Sequence, residues 1–201
     1  MDFCKYKPYT NFMRNRPIIL LGIKHSGKST QGRLLSQHFN CQFIDIDDEI
    51  TKLTGKSPRE IYTEKGASGF LMAEEAACTQ VAREIKPGEM VVISTGGGIC
   101  DNAPALNILR QIGDFLLIKV PEKIAADRII RKATQNEDGS WANLPAYIAK
   151  ENPENEAQVR KLFHGFYEER SATYEQIADY IAEPKDLPKD ENTKLLLAAI
   201  S

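Results

Sequence analysis

Between the apolar run PIILLGI and the helix-spaced QGRLLSQHF lies GIKHSGKST, Gly22 to Thr30, which fits the spacing GxxxxGK(S/T). No other stretch limits the possible folds so strongly. A buried strand that must turn so that successive backbone N–H groups meet one anion needs residues tolerant of unusual φ, and Gly22 and Gly27 supply them. Lys28 then reaches β- and γ-phosphates, and Ser29 offers a hydroxyl to Mg²⁺. The helix that starts near Lys28 turns its positive end to the same point. Ser26 and Thr30 complete the loop with His25, which either contacts phosphate or fills a permissive loop position. A Gly/Lys-rich surface turn is the alternative, and the strand before and helix after speak against it. Nucleotide binding is the implied chemistry.

Further apolar runs of strand length occur at 42–47 (QFIDID), 90–95 (MVVIST), 114–120 (DFLLIKV) and 178–183 (ADYIAE), separated by helical segments. Near-continuous apolar strands alternating with amphipathic helices predict an α/β fold with a parallel sheet covered on both faces. With 201 residues, 42% of them hydrophobic, the chain can bury one sizeable core, so one domain with a mobile insert is expected. Residues 1–16 read as an arm. The polar stretch from Lys132 to Asn155 carries Pro145 and Pro153. It exceeds the roughly 12–15 residues beyond which connections are usually functional or disordered, and reads as a lid. Residues 184–201 read as a linker and a short helix docking by its leucines, with no chemistry of their own.

The formal charge is −2, with 26 basic and 28 acidic residues mixed along the chain, which leaves no general field for nucleic acid. Cys4, Cys41, Cys78 and Cys100 show no metal spacing, and the N-terminus has no apolar signal core, so reduced thiols in a cytoplasm are expected. No apolar run approaches the roughly 20 residues needed to cross a bilayer. His25, His38 and His164 share no ligand spacing, which argues against zinc.

In an extended QFIDID, Asp45 and Asp47 share a face at the strand's carboxyl end, where open α/β sheets bind ligands. Phosphoryl transfer uses one acid to hold hydrated Mg²⁺ and another to position or deprotonate the acceptor hydroxyl, roles that divide as Asp45 and Asp47. Solvated capping of the DEITKL segment is the alternative. The glycines of STGGG, Gly96 to Gly98, either expose N–H groups to a ligand or form a flexible turn before a helix at 101–111. Arg170 lies on the helical apolar stripe of Phe166 and Tyr174, so it faces an anion, a carboxylate or a ligand, or snorkels to water. Glu74 sits among Phe70, Ala77, Cys78, Val81 and Ile85, which implies a partner cation or a ligand hydroxyl.

With the phosphate loop, FIDIDDEI, TGKSPREIYTEKGASGF, STGGG and EERSATY in this order, residues 17–183 resemble the shikimate kinase family. The resemblance implies a P-loop kinase of the nucleoside monophosphate kinase type. This is a three-layer sandwich, a five-stranded parallel sheet with helices on both faces and a mobile lid. ATP and Mg²⁺ are the implied cofactors, and a small-molecule hydroxyl is the implied acceptor. By the same likeness Lys28 and Ser29 serve phosphate and metal, Asp45 helps hold the metal, and Asp47 orients the acceptor. Gly96, Gly97 and Gly98 contact the acceptor, Arg170 meets its carboxylate, and Arg128 or Arg131 stacks on adenine. A monomer without nucleic-acid or membrane partners is expected.

The departures fall mostly on the acceptor side. Where the family pattern reads GExxFRxxE, this chain has Ala67 for the glutamate and Leu71 for the acid-binding arginine. Asn143 stands where the family carries a lid arginine before Pro-Leu, Ala172 where proline is usual, and His25 where the loop usually has glycine. Losing one partner of a buried charge pair costs about 2–5 kcal/mol, roughly 30-fold to several-thousand-fold in affinity. An apolar wall at Leu71 also disfavours a carboxylate, which favours a neutral polyol or cyclitol over shikimate unless Lys65 or Arg160 restores the charge. Arg128, Arg131, Lys132 or Lys150 are the candidates to replace the lid arginine. The alternatives are a nucleotide-binding protein with little turnover and a nucleoside monophosphate kinase.

Overall fold

The computed structural model describes residues 16–137, 139–185 and 187–201. The expected N-terminal arm, apart from Arg16, lies outside the described residues. Five parallel strands form the central sheet: β1 (Ile18–Leu21), β2 (Gln42–Asp45), β3 (Val91–Ser94), β4 (Asp114–Ile118) and, after two short strands of a separate hairpin, β7 (Tyr180–Ala182). Their order is β2-β3-β1-β4-β7. Ile19 registers with Ile93 on one side and Phe115 on the other, so β1 is central. Its four residues IILL are wholly buried, as a strand covered on both faces requires. The edge strand β2 is more polar and more exposed.

Helices flank the sheet. α1 (Lys28–Phe39) follows the loop after β1, and α2 (Ile46–Thr54) follows β2 directly. α3 (Pro58–Glu84) starts at a capping box in which Ser57 and Glu60 bond reciprocally, and kinks at Gly66, where φ is 68°. α4 (Ala103–Ile112), α5 (Glu122–Lys132) and α7 (Glu156–Ile177) complete the main layers, with α3 packed on α4 and α5 on α7.

Two expectations change. The second strand stops at Asp45 and does not run on to Asp47, because Ile46 already begins α2. Asp45 is the N-cap and accepts from the Asp47 N–H at 3.2 Å, while Asp47, Asp48 and Glu49 occupy a helical first turn, where carboxylates are favourable. The two acids therefore do not share a strand face. The stretch 132–155 is also not uniformly polar loop. It holds a hairpin of β5 (Thr134–Gln135) and β6 (Trp141–Ala142), then α6 (Ala146–Ala149), and Leu144 and Ile148 are buried in the core.

The terminal helix α8 (Lys189–Ala199) packs on α1. Leu196 is buried there, but polar groups share the docking: the Thr193 hydroxyl donates to Gln31 Oε1 at 2.8 Å, and Gln31 Nε2 donates to the Lys189 carbonyl at 3.0 Å. No helix among the described residues is long and apolar enough to cross a membrane.

Candidate active site

β1 ends in the glycine-rich loop. Gly22 has φ 143°, and a Cβ there would lie 2.7 Å from the Ile118 carbonyl, so only glycine lets the loop pass the end of β4. His25 adopts φ 64°, a left-handed conformation, and its carbonyl accepts from Arg128 Nη1 at 2.9 Å. Lys28 is buried and folds back on the loop, its Nζ donating to Gly22 O at 2.7 Å and Ile23 O at 3.0 Å. Burial, reinforced by the Lys24 charge, pushes the Lys28 amine down to about 7. Burial and the neighbouring cations Lys132, Lys24, Lys28 and Arg128 push His25 down to about 4, so its ring is neutral at neutral pH.

Ser29 Oγ donates to Asp45 Oδ2 at 2.7 Å and lies 3.4 Å from Ser94 Oγ at the carboxyl end of β3. Two hydroxyls and a carboxylate form a hard oxygen set that suits Mg²⁺ retaining several waters. Ser29 and Asp45 open into a cleft of about 500 Å³, lined also by Ser26, Gly27, Thr30, Asp47, Gly96, Gly97, Arg128 and Lys132. Arg131 is exposed at the end of α5 and is not part of that lining.

On the side that the sequence assigns to an acceptor, Glu74 is fully buried on α3. Its Oε2 accepts from Asn102 Nδ2 at 3.0 Å, but Oε1 has no hydrogen-bond partner. The expected cation is thus an amide, and it satisfies one oxygen only. A Cβ on Gly96 would lie 3.0 Å from Glu74 Oε1 and 3.6 Å from Asp47 Oδ1, so both carboxyl groups face the same small space. Burial pushes Glu74 up to about 7 and raises Asp47 as well. Asn102 also donates to the Leu71 carbonyl at 2.9 Å and caps α4 through its Oδ1.

Arg170 has its anion: Nη2 donates to Asp101 Oδ2 at 2.8 Å, and the guanidinium stacks over Tyr147 at 4.5 Å and Phe166 at 5.2 Å. Gly98 packs beneath it, where a Cβ would come within 3.1 Å of Nη2. The candidate replacements for missing charge are mostly occupied or remote. Arg160 pairs with Asp127 and Glu156, Lys150 with Glu151, and Lys65 is exposed beside the Gly66 kink.

Several residues of the site carry no local sequence signal. Asp101, Asn102 and Tyr147 reach it through tertiary structure, while Lys24 and Ser94 lie inside motifs whose pattern does not single them out. Pro184, Leu187, Lys189 and Asn192 also line the cleft, so the C-terminal segment contributes to the site, contrary to expectation. The Asn102-Ala103-Pro104 sequence is an N-cap signature that marks the start of α4. Elsewhere, Glu122, His164 and Glu168 bring ligand-type atoms within 4.8 Å of one another on the surface, a grouping that sequence spacing hides. His164 Nδ1 there lies 3.1 Å from both Glu122 oxygens.

A five-stranded parallel sheet flanked by helices, with a glycine-rich phosphate loop between the first strand and first helix, defines a P-loop kinase fold. The family model for shikimate kinase matches residues 24–201, and the chain belongs to the shikimate kinase family. A shikimate kinase of Aquifex aeolicus is 39% identical over 111 residues, covering 55% of this chain and 64% of that relative. One from Chlorobium phaeovibrioides is 30% identical over 161 residues, 80% of this chain and 76% of the relative. Among solved structures, a shikimate kinase from Acinetobacter baumannii in complex with shikimate superposes with TM-score 0.72 at 26% identity, covering 92% of both chains. The relatives are phosphotransferases acting on a hydroxyl group.

Proposed function

We propose that this chain transfers the γ-phosphoryl group of ATP, with Mg²⁺, to a ring hydroxyl of shikimate. The observation that supports transfer is the meeting of donor and acceptor chemistry in one cleft: Lys28 and the loop, the Ser29–Asp45–Ser94 oxygens, and Asp47 beside Gly96. The shikimate kinase relatives favour shikimate as acceptor, and Arg170 is a cation for its carboxylate. Ser29 and Asp45, with Ser94 beside them, would hold Mg²⁺, which screens phosphate charge when bound.

The chain's own groups divide the work. Lys28 releases the Gly22 and Ile23 carbonyls and turns to the phosphates, and the loop amides supply donors that need no reorganisation. Asp47 accepts the hydroxyl proton as the acceptor oxygen bonds to phosphorus and the bond to the ADP oxygen breaks in line. Asp101, paired with Nη2, partly neutralises the guanidinium that Arg170 offers to the acceptor acid, which weakens this anchor.

A second acceptor class is favoured by specific side chains. Leu71 presents no charge, Asp101 already neutralises Arg170, and Glu74 Oε1 awaits a hydrogen-bond donor, a combination that suits an uncharged cyclitol. ADP release with ATP and Mg²⁺, measured against shikimate and neutral cyclitols at matched concentrations, separates the two. Turnover with shikimate supports the first class and turnover only with a neutral ring supports the second. Silence with all acceptors overturns transfer itself.

A further inference from the structure

We propose that Lys24 is a catalytic residue, its ammonium contacting the transferring phosphoryl between Lys28 and Asp47 and taking the part of the lid arginine that Asn143 cannot play. The proposal rests on the phosphotransfer function above. It concerns a residue at a variable position of the GxxxxGK(S/T) run.

Three observations place Lys24 there. Its backbone is pinned where the two halves of the cleft touch: a Cβ on Gly97 would lie 2.6 Å from the Lys24 nitrogen and 2.9 Å from its Cα. The phosphate loop and the acceptor-side glycines therefore meet at this residue. Its half-buried side chain lines the same cleft as Lys28 and Asp47. A mobile ammonium on the wall that the donor-side lysine and the acceptor-side acid share is in reach of a phosphoryl group passing from one to the other.

The third observation is availability. Arg128 is held by the His25 carbonyl, Arg160 by Asp127 and Glu156, and Arg170 by Asp101. Among the described residues no carboxylate pairs with Lys24. A cation held by no ion pair stands beside a second, buried cation, with Asp47 as the nearby counter-charge. The arrangement becomes favourable when a polyanion lies between the two. The lid offers a neutral amide at Asn143, which is exposed and in the left-handed conformation at φ 64°. The loop thus supplies a cation where residue 143 supplies none. In the transfer step the acceptor oxygen–phosphorus bond forms, the bond to the ADP oxygen breaks, and the proton passes to Asp47. Lys24 exchanges no proton and neutralises the oxygens in flight.

The test is calorimetric binding of ADP and of the non-hydrolysable β,γ-imido analogue of ATP, each with Mg²⁺, to the parent, Lys24→Met and Lys24→Arg, with turnover measured alongside. Lys24→Met should lose about tenfold of the preference for triphosphate over diphosphate and about a hundredfold in kcat. Lys24→Arg should keep most of both. The Lys24 contacts to Gly97 are through its backbone, so the fold should survive, and Lys24→Gln provides a second neutral variant. A Lys24→Met protein with the parent's triphosphate preference overturns the proposal. A parent protein that turns over no acceptor defeats the function instead, and the binding ratio still decides on Lys24.

Discussion

On the nucleotide side of the cleft the working groups are held by the chain itself. Lys28 donates to two loop carbonyls, Ser29 to Asp45, and Arg128 to the His25 carbonyl. On the acceptor side the groups are short of partners or committed to the wrong ones. Glu74 keeps one buried oxygen unbonded, Asp47 is raised by burial, and Arg170 is engaged by Asp101. The difference follows from what each half is made of. A phosphate site built from backbone amides and loop geometry tolerates little change, whereas an acceptor site built from individual charged side chains can lose one arginine and keep its shape.

The largest effect that separates the halves comes from Lys28→Met. Turnover should fall about a thousandfold or more, since the change removes the cation proposed to meet the β- and γ-phosphates. The empty protein should behave oppositely. Lys28 falls from its ordinary 10.5 to about 7 on folding, so between those values the unfolded chain binds the extra proton. Parent stability should gain a component as pH rises from about 7 to about 10, and Lys28→Met should lack it. Identical denaturation slopes across that window would remove the buried charge from the account.

Asp47→Asn comes next. It should cut kcat about a hundredfold while leaving the Kd for ATP within about threefold, because Asp47 faces Gly96, where the proposed acceptor would sit. A near-parental kcat would mean that another group takes the proton.

Glu74→Gln acts on stability. The Glu74 carboxyl is raised from 4.5 to about 7, so the folded state holds a proton that the unfolded state loses. Parent stability should decline as pH rises from about 4.5 to about 7, and the glutamine variant should be spared that part. Unchanged pH dependence would mean that an ordered water satisfies Oε1. The smallest effect is on the lid. We propose that residues 132–155 close over nucleotide, so limited proteolysis near Asn136 should slow a few-fold with ATP and Mg²⁺. Equal cutting in both conditions would deny closure.

The same contrast governs what was legible in the sequence. The central strands are buried on both faces, so IILL, VVIS and DFLLI read directly as strands. The phosphate loop is legible because its chemistry is local in the chain. QFIDID misleads because Asp45 can end a strand and cap a helix at once, and the acids after it stabilise the helix start. The partner of Arg170 lies 69 residues away at Asp101, and that of Glu74 lies 28 residues away at Asn102. Neither pairing leaves a periodic trace. The contribution of α8 is hidden likewise, since Gln31 and Lys189 meet across 158 residues.

Steady-state kinetics of the parent and of Leu71→Arg, with ATP and shikimate varied in turn, test the central claim most directly. Leu71 and Glu74 are three residues apart on α3, so an arginine at 71 would meet both the unbonded Glu74 oxygen and the acceptor acid. The account predicts turnover by the parent with a high KM for shikimate. In Leu71→Arg that KM should fall at least about tenfold while the KM for ATP stays unchanged. A parent that already saturates at low shikimate, with no gain from the arginine, would contradict it.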